Sequence, residues 1–258
     1  MDWSRAKTIL IWAFLLLDLF LGYQVYQTRF SHWQSPLAVQ ADRWDIEMYL
    51  NQQNISLEAD VPQETPAMTY LNAEYAGINA IGFQEIPGIQ VTMEKMALAA
   101  RLDPPLQIRG QFTPGELLRQ LGPRMLYADQ YTADLYQSSQ GRLLYWQTYK
   151  KLPLFVAPLE IYLEDGAVLG YRQTYLNLRS QGASRQVISP YTAIRSLVDK
   201  RIITPGERIE SVRLGYYGSY DADVQVLAPV WRIIHDGKQH FVNAFTGALE
   251  RPLVTSKS

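Results

Sequence analysis

The 258-residue sequence contains no cysteine. Disulfide frameworks, thiolate metal sites, thiol nucleophiles and a cysteine-linked lipid anchor are thereby excluded. Histidine is scarce: three are present, and none has the HExxH spacing of a metal site. An excess of either charge is missing too, with 24 basic residues against 25 acidic ones. No basic field points to nucleic acid, and no acidic tail points to a solvating segment. G-x-S-x-G and glycine-rich phosphate loops are also absent. Paired carboxylates fare no better. Glu160 and Glu164 share a strand face but stand roughly 13 Å apart, beyond the roughly 5–9.5 Å of glycosidase pairs. Asp221 and Asp223 lack the further acidic ligands of a calcium loop and read as a polar turn. These absences predict a protein that is not an enzyme, with no catalytic, cofactor-binding or metal-ligating residue.

What is present begins with "LIWAFLLLDLFLGY", residues 10–23, apolar except for Asp18. Between Thr8 and Tyr26 the strongly polar residues are Asp18 and Gln24. These residues in a helix reach about 28 Å, the hydrocarbon thickness of a bilayer. A cleaved signal peptide would have a shorter apolar region and small residues at its end, whereas "GYQVYQTRFSHWQ" is bulky. The expectation is an uncleaved transmembrane helix over 8–26, a cytoplasmic tail over 1–7 and a juxtamembrane linker over 27–36. Arg5 and Lys7 precede the span and Arg29 follows it, which places the main domain outside the cell.

An ionised Asp at the centre of such a helix costs about 2.5–3.5 kcal/mol. Heptad spacing runs Ser4, Thr8, Ile11, Leu15, Asp18, Gly22, Val25 and Arg29 along one seam. Small and polar residues gathered on one stripe are the composition of a helix–helix contact in lipid. Thr8, Ile11, Leu15, Asp18, Gly22 and Val25 are therefore the candidate partner-helix contact. A single span has no second helix of its own, so the partner is another chain.

Beyond the span the pattern is α+β: antiparallel sheets with segregated helices in two lobes, 37–130 and 131–255, meeting near residues 130–140. "QADRWDIEMYLNQQNI" spaces Val39, Trp44, Ile46 or Met48, and Tyr49 or Leu50 as a helix. Thr113-Pro114-Gly115-Glu116 opens another with a capping box; the same four letters at 204–207 lead into a strand and make no repeat. Ser189-Pro190 starts a third helix that buries Ile194, Leu197 and Val198. "EIPGIQVTM", "GRLLYWQTY" and "PLEIYLEDGAVLGYRQTYLNL" read as strands, the last turning at Asp165-Gly166. His235 and His240 flank a second such turn, Asp236-Gly237, and read as exposed hairpin residues. The 17 tyrosines and six tryptophans suit a recognition surface or a half-exposed sheet equally.

Two stretches carry a family resemblance. "MDWSRAKTILIWAFLLLDLFLGYQ" resembles the amino terminus of the YycI (WalI) family, and "APVWRIIHDGKQHFVNAFTGALE" is similar to that family's closing strands and to PepSY-type modules. The resemblance implies a single-pass accessory protein with an extracytoplasmic α+β domain. It would act with a YycH-like membrane protein on a YycG (WalK)-like sensor histidine kinase controlling cell-wall metabolism, and it brings no catalytic residue or cofactor. Relatives typically carry a neutral Asn where this chain has Asp18. Two other readings stay open: an extracytoplasmic ligand-binding or protease-restraining module tethered by its helix, and a tethered envelope hydrolase.

Overall fold

The computed structural model describes residues 7, 11–21, 23, 36–76, 88–94, 96–108, 112–218 and 224–251, the side chains of 36–42 and 224 excepted. Residues 11–21 are helical and exposed throughout. Helix α1 (Pro36–Gln52) buries Ile46 and Leu50, one turn apart, and leaves Trp44 and Met48 on the opposite face. Trp44 and Met48 are thus surface residues, because the core takes the Ile46 side of the stripe. Tyr49 donates to Asp199 Oδ1 (3.1 Å), tying α1 to α3 (Pro190–Asp199). Helices α2 (Pro114–Leu121) and α3 share one starting logic. Thr113 caps α2 with a full capping box, and Ser189 caps α3 by accepting from Thr192 N–H (3.1 Å). The repeated Thr-Pro-Gly-Glu makes one common bond: Thr113 N–H and Thr204 N–H each donate to the Glu three residues on, both at 2.8 Å. The local turn recurs; only the continuation differs.

Among the described residues twelve strands follow the chain: β1 (Ser56–Leu57), β2 (Ala67–Tyr75), β3 (Ile89–Met93), β4 (Leu98–Gln107), β5 (Tyr131–Ala133), β6 (Arg142–Tyr149), β7 (Leu152–Glu164), β8 (Ala167–Gln173), β9 (Leu176–Gln186), β10 (Arg208–Tyr217), β11 (Val224–His235) and β12 (Lys238–Asn243). They form one sheet in the order β3-β4-β8-β7-β10-β11-β2-β9, with β6 also on β7, β5 on β6, β12 also on β11 and β1 on β10. The α+β class is as expected. The all-antiparallel pairing is not: β1–β10 and the short β7–β10 contact at Tyr216 and Leu154 are parallel. Two long strands make the single sheet possible. The start of β11, Val224–Leu227, pairs with β2, and its remainder pairs with β10 and β12. β7 likewise serves β6, β8 and β10.

Hairpin turns follow backbone chemistry. Asp165-Gly166 and Asp236-Gly237 both have positive φ at the two central residues, the type I′ turn expected of them. Lys150-Lys151 adopts the same turn between β6 and β7 (φ +49° and +69°), where no residue signals it. Glycine matters most where strands approach closely. A Cβ on Gly170 of β8 would meet the carbonyl of Ala100 on β4, beside the point where β4 shifts register.

The buried apolar residues form two clusters. In the first, α1 and α3 cover β10 and β11, with Ile194, Leu197, Val212, Trp231 and Ile233 at its centre. Trp231 is fully buried and donates Nε1–H to Ile188 O (2.9 Å); its burial is worth about 4–6 kcal/mol of transfer free energy. In the second, Leu117, Leu118 and Leu121 of α2 rest on Leu98, Tyr145, Leu159, Ile161 and Tyr171. Segments from both sides of residue 130 contribute to each cluster.

One core position breaks the pattern. Gln225 is 2 % exposed and neither side-chain amide atom has a hydrogen-bond partner, while its neighbour Val226 is half in solvent. An unmade buried hydrogen bond costs about 1–3 kcal/mol. Gln225→Leu is therefore expected to raise stability by about 1–2 kcal/mol, read as a higher denaturant midpoint at unchanged slope. A lower midpoint would show that the amide holds a partner.

Candidate functional site

Among the expected seam residues, Ile11, Leu15 and Asp18 lie in the helical stretch 11–21, at spacings of four and three that put them on one face. All three are exposed, Ile11 at 61 % and Leu15 at 49 %. Thr8, Gly22 and Val25 lie outside the described residues. The rest of the stretch, Trp12, Phe14, Leu16, Leu17, Leu19, Phe20 and Leu21, is apolar and equally uncovered. Among the described residues no helix is long and apolar enough to cross a membrane; the described stretch is shorter than the roughly 20 residues that a span needs.

The expectations for the rest of the chain can be placed more fully. Glu164 is exposed, whereas Glu160 is partly buried within a charged ladder across the outer face of the sheet. Arg142 Nη1 lies 2.8 Å from Glu160 Oε1, Tyr162 OH donates to Glu160 Oε2 (3.2 Å), and Arg172 pairs with Glu94 (2.8 Å). Asp221, Asp223 and His32 lie outside the described residues. The aromatic strands serve mainly the core: Tyr145, Tyr216 and Tyr217 are buried, and Trp146 stacks edge-on to Phe155 at 5.8 Å. One expectation is corrected. His235 is buried rather than exposed, because it sits inside the corner where β10, β11 and β12 meet, while His240 is half-buried beside it.

Sequence reading missed the most polar feature of the interior. Asp134, at the end of β5, and Arg232, in the middle of β11, are both fully buried and form a two-pronged ion pair. Trp146 Nε1–H donates to the same carboxylate (2.7 Å), and the Arg232 guanidinium lies over the Phe155 ring at 4.7 Å. Arg213 is directly opposite Arg232 across the β10–β11 pair and donates to Ala133 O (3.4 Å). Burial pushes the Asp134 carboxyl up, but hydrogen bonds and charge from Arg232, with the Trp146 hydrogen bond, hold it below the usual carboxylate range. Burial and the neighbouring Arg232 lower Arg213. The available signal was "APVWRIIH": one arginine inside an otherwise apolar strand requires a buried partner. Just past Asp134, Leu135 and Tyr136 stand 70 % and 56 % exposed. Their loop is pinned by Ser138 Oγ, which donates to Asp134 O (2.7 Å) and accepts from Leu144 N–H (3.0 Å).

Within the described residues, no group of three or more His, Asp or Glu side chains is placed to hold a metal ion.

Comparison with known proteins places this architecture. An uncharacterized protein from Eubacterium rectale is similar in fold, with a TM-score of 0.50 at 9 % identity, covering 77 % of this chain and 91 % of that one. The Bacillus megaterium YpeB C-terminal domain aligns at a TM-score of 0.37 and 14 % identity over 67 % of this chain and 92 % of its own. YycH from Bacillus subtilis aligns at 0.38 and 13 % over 68 % of this chain and 49 % of its own. No curated protein matches the sequence. The model of the family described as "YycI protein" matches residues 35–245, most of the chain. On that match the chain belongs to the YycI family, the family of the YycFG accessory protein.

Proposed function

We propose that this chain is a membrane-anchored regulator of a cell-wall-sensing histidine kinase. In this reading the amino-terminal helix spans the membrane with a short cytoplasmic tail, and the α+β domain lies outside the cell. The family match across residues 35–245 carries the reading. The exposed apolar helix supports it, since such a surface is stable only when lipid or another helix covers it. Asp18 and its seam are the contact to the kinase's own span, and a YycH-like membrane protein shares the assembly.

Signalling through such a contact requires modest energies. A coupling of about 1–3 kcal/mol between the helix contact and the kinase shifts output about 5- to 150-fold. Replacing residues 8–26 by an unrelated apolar helix of equal length keeps the chain anchored and removes the seam. Kinase-dependent transcription is expected to lose its response to the protein. An unchanged response would reduce the span to a tether and move the ligand-binding or protease-restraining reading ahead.

A further inference from the structure

We propose that Arg213, with Leu135 and Tyr136, is a docking point for an acidic segment of a partner protein. A carboxylate of that segment meets Arg213, and an apolar neighbour meets the two loop side chains. This surface belongs to the α+β domain and is independent of whether residues 8–26 span a membrane.

Charge is unbalanced where the end of β5 lies on β10 and β11. Arg213, Arg232 and Asp134 stand together there, two guanidiniums against one carboxylate. Asp134 is already committed. Its Oδ2 accepts from Arg232 and from Trp146 Nε1–H, and its Oδ1 accepts from Arg232 Nη2 (3.2 Å). The Arg213 side chain makes one hydrogen bond, to Ala133 O (3.4 Å). Among the described residues no carboxylate stands within ion-pair distance of it. Arg213 is half-buried, so water covers only part of its charge.

Folding stability alone would not keep a cation at this position. Arg213 is directly opposite Arg232 on an antiparallel pair, where like charges destabilise. Burial and the Arg232 charge both act against the charged form of Arg213. A neutral residue at 213 would remove both penalties. A charge held against stability points to a contact made with another molecule.

The apolar half of the surface adjoins this charge. Leu135 is 70 % exposed, more than any other large apolar residue described, and Tyr136 is 56 % exposed. Both lie on the turn that continues from Ala133, the residue Arg213 holds. The Tyr136 phenol is near enough to act on the Arg213 charge. Hydrogen bonds fix this turn: Asp134 N–H donates to Leu144 O (2.8 Å) and Ser139 N–H to Arg142 O (2.8 Å), while Ser138 Oγ joins Asp134 O to Leu144 N–H. The apolar pair is therefore presented in advance, and binding has little loop ordering to offset.

The partner's chemistry follows from these features. One excess positive charge suits a single carboxylate, whereas a doubly charged phosphate would also face Asp134. A protruding turn does not enclose a small ligand, which needs a concave site. Arginine and tyrosine are the residues that anchor protein contacts. A protein segment offers a carboxylate and an apolar side chain at neighbouring positions, matching Arg213 and the Leu135–Tyr136 turn.

Indole N–H NMR on the full chain in mild detergent tests this, because Trp146 Nε1–H rests on the Asp134 carboxylate and reports on the cluster. The probes are acetyl-leucyl-glutamyl-leucine amide and its glutaminyl counterpart. The glutamyl peptide is expected to shift the Trp146 signal saturably, and the glutaminyl peptide to bind about tenfold more weakly. Arg213→Gln is expected to erase that preference and to keep or raise the denaturant midpoint. Arg213→Lys retains part of the preference, and Tyr136→Ser, at an exposed position, weakens both peptides alike. No saturable shift, equal binding of the two peptides, or a preference that survives Arg213→Gln would overturn the proposal. So would an equal shift with sodium acetate at the same concentration, which marks an adventitious anion only. A Trp146 signal that moves with protein concentration alone would assign the surface to a second copy instead, and a lowered midpoint in Arg213→Gln would make Arg213 a structural residue.

Discussion

Asp134→Ala is expected to cost about 3–5 kcal/mol of unfolding free energy, the range for removing one partner of a buried ion pair. Alanine strands the Arg232 guanidinium, which is fully buried, and leaves Trp146 Nε1–H without its acceptor. It also leaves Arg232 and Arg213 opposed across β10 and β11 with no acid between them. Chemical unfolding of the full chain in mild detergent, followed by tryptophan fluorescence, measures the loss. The double variant Asp134→Leu, Arg232→Met is expected to recover most of it, since an apolar pair of similar volume carries no desolvation penalty. A single variant within about 1 kcal/mol of wild type would show that the interior tolerates the unpaired guanidinium, in the manner of an exposed pair.

The same pair sets an acid limit. The Asp134 carboxyl in the folded protein lies below its ordinary value, so the unfolded chain takes up the proton first. The pair's contribution is fully present above the unfolded value near 3.9 and disappears as pH falls through the lower folded value. Wild-type protein therefore keeps this term at pH 5.

How much of this was legible in advance depended on the range of the interaction. Helix starts at Thr113 and Ser189 and the Asp-Gly turns at 165 and 236 follow from a few adjacent residues, and the structure has them where expected. The turn at Lys150-Lys151 carried no such signal, because its positive φ values are imposed by the pairing of β6 with β7 rather than favoured by lysine. Strand order was out of reach for the same reason: β2 finds β11 across about 150 residues of chain, and no local pattern records that choice. Polar residues in the core were the other blind spot. His235 looked like a hairpin surface residue because its Asp-Gly turn is exposed, yet the corner folds over it. Arg232 looked like an interruption in an apolar strand until Asp134, 98 residues earlier, supplied the partner. For the seam, spacing alone put Ile11, Leu15 and Asp18 on one helical face, and what covers that face depends on another molecule.

Asp18→Leu is the second large effect. On the proposed reading that residues 8–26 span the membrane, an acid there is costly unless it faces protein or water, so Asp18 marks the side on which a partner sits. Leucine removes the polar group, keeps the helix apolar and improves insertion, which separates loss of contact from loss of anchoring. Neighbouring Ile11 and Leu15 still offer packing surface, so the change isolates the polar contribution. The decisive measurement is co-purification of the cognate sensor kinase with the full-length protein in mild detergent, wild type against Asp18→Leu. Retention by wild type and loss by the variant is the expected result and would place the regulatory contact on the Asp18 seam. Equal retention by both would contradict it and move recognition to the α+β domain or to another face of the helix.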